Sequence, residues 1–192
     1  MGDITTPMSK VRDCIDEALA TWMGEQHVFF VATAPLAAEG HVNCSPKGGD
    51  CFRILGPMEV AYLDFTGSGA ETAAHLQENG RIVVMFCAFD GKPNIVRLHG
   101  EGTVLMPGTP GFDDLSARFA PNPGARAIVH VTVTRVSTSC GYSVPLLDFR
   151  EDRDILDRWA VAKGEQGLDA YRAEKNAVSI DGLPSLASPS VA

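Results

Sequence analysis

Residues 81–105, RIVVMFCAFDGKPNIVRLHGEGTVL, decide the architecture. RIVVMFCAF (81–89) is almost wholly apolar and rich in β-branched and aromatic residues, which predicts a strand buried on both faces. DGKPN (90–94) turns the chain. IVRLHGEGTVL (95–105) then returns as the antiparallel partner of a hairpin. Gly100 and Gly102 fall inside this second strand, where glycine marks a barrel bend or a close approach of ligand or backbone.

The same grammar extends to both sides. HVFFVATAP (27–35) reads as a strand closed by Pro35, LAAEG (36–40) as a turn, and HVNCSP (41–46) as a short second strand of a hairpin. CFRIL (51–55) and MEVAYLDF (58–65) flank a Gly56-Pro57 turn. TGSGAETAAHLQENG (66–80) switches to a helix, with Ser68 as cap and Gly80 as stop. Residues 110–119 read as a short helix and PNPGAR (121–126) as a loop. AIVHVTVTRVSTS (127–139) alternates, placing Val129, Val131 and Val133 on one side and His130, Thr132 and Thr134 on the other. Upstream, Val11, Ile15, Leu19 and Trp22 recur at helical spacing, so residues 8–24 are expected as an amphipathic helix capped by Ser9 and ended by Gly24.

Strands at short spacing joined by hairpins predict an antiparallel barrel of about six strands with flanking helices, a mainly β (α+β) fold. Strict β-α alternation is absent, which excludes a doubly wound parallel sheet. From residue 150 the chain turns polar, helical and charge-laced. The expected division is a barrel with its N-terminal helix over 1–149, a helical extension over 150–182 and a loose tail over 183–192.

The 192 residues suit one domain, with 45% hydrophobic and 21% charged residues. The net charge of −8, with no Lys/Arg cluster, argues against a nucleic-acid partner. No apolar run is long enough to span a bilayer, and MGDITTPMSK (1–10) lacks a signal-peptide core, so no membrane association and a cytoplasmic location are expected. The five cysteines include no C-x-x-C pair, and the five histidines show no metal-binding spacing. Neither a disulfide framework nor a metal site is expected.

Two segments could hold an anion. In SPKGG (45–49), Ser45 offers a hydroxyl, Lys47 an ammonium, and Gly48 and Gly49 backbone amides able to form a nest. The same residues also make an ordinary Pro-Gly turn. TGSGAET (66–72) follows a strand and opens a helix, a natural phosphate seat with hydroxyls from Thr66, Ser68 and Thr72. Ser68-x-x-Glu71 also reads as a capping box that would satisfy the helix amides itself. Arg53, Arg81 and Arg97 are further phosphate candidates, and His99 a candidate for facing substrate.

The succession FFVATAP (29–35), GHVNCSPKGGDCFRIL (40–55), EVAYLDFTGSG (59–69), ETAAHLQENGRIVVMFCAF (71–89) and IVRLHGEGTV (95–104) resembles the pyridoxamine 5′-phosphate oxidase-like family of FMN-binding split β-barrels. The resemblance covers roughly residues 10–140. It implies a homodimer with FMN at the subunit interface, acting on a small molecule as an oxidoreductase. It also implies contacts to the isoalloxazine ring along Cys44, Ser45, Pro46, Lys47 and Gly48. Phosphate and ribityl contacts would come from Lys47, Phe65, Thr66, Gly67, Ser68 and Thr72, with Arg97 as a further partner. Where true oxidases of the family carry an Arg-Lys pair, this chain has Glu71-Thr72, which argues against pyridoxamine 5′-phosphate as substrate. Related split barrels use the deazaflavin F420, and non-catalytic flavin or haem carriers are the remaining alternative. His99 and His130 are the barrel-strand candidates for haem ligation.

Overall fold

The computed structural model describes residues 9–186. Eight strands form one antiparallel sheet rather than about six: β1 (Ser9–Arg12), β2 (Val28–Thr33), β3 (Asn43–Gly48), β4 (Phe52–Gly56), β5 (Glu59–Phe65), β6 (Arg81–Cys87), β7 (Ile95–Leu105) and β8 (Ala125–Ser139). Their order is β3-β2-β6-β7-β8-β5-β4, with β1 also on β8. The path begins at β3 and ends at β4, and no ladder joins these two among the described residues. The result is an antiparallel split barrel.

The length of β8 allows the sheet to curl. One edge pairs with β7, from Leu105↔Ile128 to Ile95↔Ser139. The other pairs first with β5, from Phe65↔Ala125 to Glu59↔Thr132, and then with β1, from Arg12↔Val136 to Ser9↔Ser139. A register shift between His99 and Gly100 bends β7 at the expected glycines. A Cβ on Gly100 would collide with the Thr132 carbonyl, so this strand crossing admits only glycine. At Gly102 a Cβ would press on the Leu76 methyls of the helix that crosses there. Both residues therefore mark bends and close backbone contacts.

Alternating residues fill the barrel. Val31, Val84, Leu98, Val131 and Val136 are fully buried. Phe29, Phe52, Tyr62 and Phe86 interlock, with Phe52 and Phe86 centroids 5.0 Å apart. This aromatic cluster bridges β2, β4 and β6 across the split, where backbone hydrogen bonds are missing. β6 is not buried on both faces: Ile82, Val84 and Phe86 are, but Val83 and Met85 on the other face are only half-buried. The reason is that, among the described residues, no element covers that face. Register places Met85 beside Phe30 and Val83 beside Ala32, and β3 continues the rows with Pro46 and Cys44.

The helix expected over 8–24 is shorter. Its described first part is β1, and α1 spans Glu17–Gly24. Asp16, not Ser9, is the cap, its carboxylate accepting from the Leu19 amide at 2.9 Å. The apolar spacing was real but partly served a strand, where pairing to β8 overrode helical periodicity. Residue 8, the first of the expected helix, lies outside the described residues. α2 (Glu71–Asn79) stops at Gly80 in the left-handed conformation, φ 70°, with its amide on the Leu76 carbonyl. Ala70 stands at its N-cap and Ser68 makes no cap bond, so the capping box does not form. α3 (Phe112–Ser116) is the expected short helix.

After β8 the chain runs as an extended arm, residues 140–154, before α4 (Ile155–Lys175). Gly164 breaks α4 into two helical pieces, with φ 65° and ψ 171°. The chain does not loosen at 183. Leu186 donates to the Asn176 carbonyl, Ser185 to the Ala177 carbonyl, and the Leu186 side chain is buried. The rest of the expected tail, 187–192, lies outside the described residues.

Candidate functional site

Three strands bring charge to one corner of the barrel. Along β3 the side chains alternate: Asn43, Ser45 and Lys47 are partly buried, while Cys44, Pro46 and Gly48 are exposed on the opposite face. Lys47 reaches Asp64 near the end of β5, its Nζ donating to Oδ1 at 3.0 Å. Arg126, at the start of β8, donates Nε to the other oxygen at 2.8 Å and Nη2 to the Gly69 carbonyl at 2.9 Å. The carboxylate and guanidinium are almost wholly buried, with 5% and 7% exposure. Burial alone would raise the Asp64 carboxyl, but the two cations outweigh it and hold it below the ordinary range. Arg126 Nη1 is buried and has no acceptor among the described residues. The phenol of Tyr62, also buried, is pushed up by burial and then by the Asp64 charge.

The loop 66–70 lies beside this trio. Thr66 is buried, and its Oγ1 accepts from Arg172 Nε at 3.0 Å. Arg172 also donates to the Ala125 carbonyl at 3.1 Å. Gly67 accepts from Asn176 Nδ2 at 2.8 Å, and the Ala70 carbonyl accepts from Ser185 Oγ at 2.7 Å. Ser68 is exposed, and the Glu71 carboxylate folds over Gly69. Across a polar seam, Asn43 of β3 donates to Thr72 Oγ1 of α2 at 2.9 Å, and Ser45 donates to Asn43. Deeper in, His75 shares a 2.9 Å hydrogen bond with Thr33. Its other nitrogen is buried without a partner among the described residues, and burial lowers the pKa of the ring. Lys47, Arg126 and Arg172 thus converge on this corner, where Asp64 and Glu71 are the nearby carboxylates and the exposed Asp169 pairs with Arg172 at 3.6 Å from outside.

A large cleft adjoins the corner. It measures about 1430 Å³ and opens between the barrel end and the 140–154 arm. The arm is pinned at two points: Leu147 donates its amide to the Phe89 carbonyl, and Phe149 stacks on His27 at 3.6 Å. Of the expected flavin contacts, Pro46, Lys47, Gly48 and Phe65 line this cleft. Ser45, Thr66, Gly67, Ser68 and Thr72 belong instead to the polar corner and seam, which meet the cleft at Lys47.

Arg97 is not brought to either. It lies on the outer sheet face beside Met85 and donates to Ser139 Oγ. The sheet order puts β2 and β6 between it and β3, roughly 14 Å at ordinary strand spacing. Its place in an apolar strand reflects the uncovered outer face. Arg53 pairs with Asp50, and Arg81 donates to the Pro35 carbonyl. His99 is exposed on β7 and His130 pairs with Glu59 on β8, so the two do not share a pocket.

Arg126, Arg172 and Asn176 escaped the sequence reading. Arg126 hid at the end of the expected 121–126 loop, whose last two residues begin β8. A signal for it existed: Asp64 interrupts the apolar EVAYLDF, and a buried carboxylate requires cations. Arg172 belongs to a polar helix and Asn176 to its C-terminal cap, with no local sign of their target.

These features define a split barrel with a basic corner at a strand-to-helix junction. Residues 15–140 match the family described as pyridoxamine 5′-phosphate oxidase. A pyridoxamine 5′-phosphate oxidase family protein of Aspergillus flavus, ustO, is 39% identical over 92% of this chain and 77% of its own length. The chain belongs to the pyridoxamine 5′-phosphate oxidase family. Among solved structures, HupZ of Group A Streptococcus is similar at 20% identity and a TM-score of 0.49, over 64% of this chain and 91% of its own. An FAD-binding protein of Mycobacterium smegmatis is similar at 12% identity and a TM-score of 0.45, over 65% and 94%. No described helix is long and apolar enough to cross a membrane.

Proposed function

We propose that this chain is a flavin-dependent oxidoreductase that holds FMN with the phosphate at the basic corner. The observation that carries the reading is the buried Arg126 Nη1, which has no acceptor among the described residues and lies with Lys47 and Arg172 beside the 66–69 loop. That donor set suits a phosphate: guanidinium and ammonium groups, a glycine-rich loop, and a helix N-terminus without a side-chain cap. Bound flavin supplies the hydride or electron chemistry. The chain supplies the rest. Lys47 and Arg126 fix charge at the corner, and Asp64 holds both in place. β3, an edge strand that among the described residues pairs with β2 alone, leaves backbone donors and acceptors for the polar rim of a ring. Phe65 and the arm carrying Phe149 limit water in the adjoining cleft.

The uncovered outer face supports a homodimer. Phe30, Ala32, Val83 and Met85 form a half-buried apolar patch, extended by exposed Pro46 and Cys44. A contiguous apolar surface of this kind suits a second copy of the chain. The substrate would be a small molecule admitted through the cleft.

The test is the visible spectrum of the purified protein, with the released ligand weighed by mass spectrometry. An FMN mass supports the reading, and a deazaflavin mass moves the chain to the F420-using branch. Lys47→Ala should weaken FMN binding by about 1.5–3 kcal/mol, the worth of a charge-assisted hydrogen bond. A colourless protein that takes up no added FMN refutes the proposal.

A further inference from the structure

The C-terminal segment beyond residue 164 lies outside the family match, which ends at 140. It nevertheless bonds to the segments around the basic corner. Arg172 holds Thr66 and the start of β8. Asn176, fully buried, holds Gly67. Ser185 holds the carbonyl of Ala70, the residue that opens α2. Asp181 accepts from both the backbone and the ring of His41, ahead of β3. These bonds all converge on the loop, the helix start and the hairpin from which the corner is built. Two buried polar atoms flank the same loop without partners among the described residues, Arg126 Nη1 and Asn176 Oδ1. A buried donor and a buried acceptor left open are costly unless a polar ligand or water meets them.

We propose that residues 165–186 are a strap that completes the phosphate site, with Arg172 and Asn176 as the residues that position the 66–69 loop. This rests on the flavin reading above. The strap acts on the loop rather than on the ring. Arg172 fixes Thr66 and Asn176 fixes Gly67, so the loop amides and Arg126 stay aligned for an anion. Gly164 is the joint. Its positive φ separates the strap from the first half of α4, which stands against the barrel through the Asn122–Asp157 hydrogen bond. The strap therefore takes a direction of its own, toward the loop.

The experiment compares FMN with riboflavin, which carries the same ring and ribityl chain but no phosphate. Affinities are measured by flavin fluorescence for the wild-type chain, Arg172→Gln and Asn176→Ala, with thermal melting as the fold check. The strap predicts FMN affinity falling about tenfold or more in each variant, with riboflavin affinity changed less than about twofold. An equal loss for both flavins, or no loss, overturns it. If Asn176→Ala fails to fold, Arg172→Gln and Ser185→Ala carry the test, since Arg172 is partly exposed and Ser185 loses one bond. A wild-type chain that binds neither flavin overturns the cofactor reading instead. The strap is then judged by hydrogen exchange: faster exchange of the 66–70 amides in Arg172→Gln supports loop positioning, and unchanged exchange refutes it.

Discussion

Replacing Asp64 with asparagine should cost more stability than any other single polar change at the corner. The carboxylate is buried at 5% side-chain exposure and accepts from two cations, at 3.0 Å and 2.8 Å. Asparagine keeps the shape but removes the charge, leaving the buried Arg126 guanidinium and the largely buried Lys47 ammonium facing each other. Removing one partner of a buried ion pair typically costs about 3–5 kcal/mol. At this chain length each kcal/mol lowers Tm by about 2–4 °C, so Tm should fall by about 6–20 °C. Lys47→Met in the same background removes one stranded cation. The double variant should therefore be less destabilised than the sum of the singles, by about 1 kcal/mol or more. The pH dependence follows with a definite sign. The folded carboxyl ionises below its ordinary value of 3.8, so just under that pH the folded state binds fewer protons than the unfolded chain. The contribution is complete above 3.8 and drains away as pH falls through the lower folded value. Asp64→Asn should lack this acid limb. Urea titrations from pH 3 to 7 read both effects. A loss under about 1 kcal/mol at pH 7, or an unchanged acid limb, would refute the account of Asp64 as the buried anchor of two cations.

Gly100→Ala should destabilise by about 1–3 kcal/mol, because its Cβ meets the Thr132 carbonyl; Gly67→Ala, with open space at its Cβ, should melt like the wild type. Equal melting temperatures for the two variants would contradict the crossing geometry. His75 is buried neutral with its pKa pushed below 6.5, so stability should decline as pH falls from about 6.5 toward the folded value. His75→Gln should flatten that decline in urea titrations, and an unchanged slope would assign it elsewhere. Met85→Asp, on the uncovered face, should shift the mass measured by light scattering from two chains to one. A wild-type chain that is already monomeric at micromolar concentration would refute the dimer.

The parts of this molecule that were legible in sequence are those where a local rule and the tertiary demand agree. β7 could be read with its bend because Gly100 and Gly102 break an apolar strand where a barrel must turn. Gly80 could be read as a stop because the left-handed conformation that ends α2 is one glycine adopts freely. Where the two demands part, the tertiary one prevailed. Val11 fits a helical stripe, yet it pairs with Ser137 as a strand, since β8 has a free edge beyond β5 that needs a partner. Ser68 and Glu71 have capping-box spacing, yet the box stays open. Asn176 and Ser185 draw on the carbonyls of that loop from more than a hundred residues away, and Glu71 turns back onto Gly69. The same competition explains the candidate site. The loop was visible as TGSG, because glycines and hydroxyls after a strand carry a local signature. The charges that make it basic were not, because Arg126 and Arg172 arrive from distant segments. A local signature can thus mark where a phosphate would be received, while the cations that hold it are set by topology.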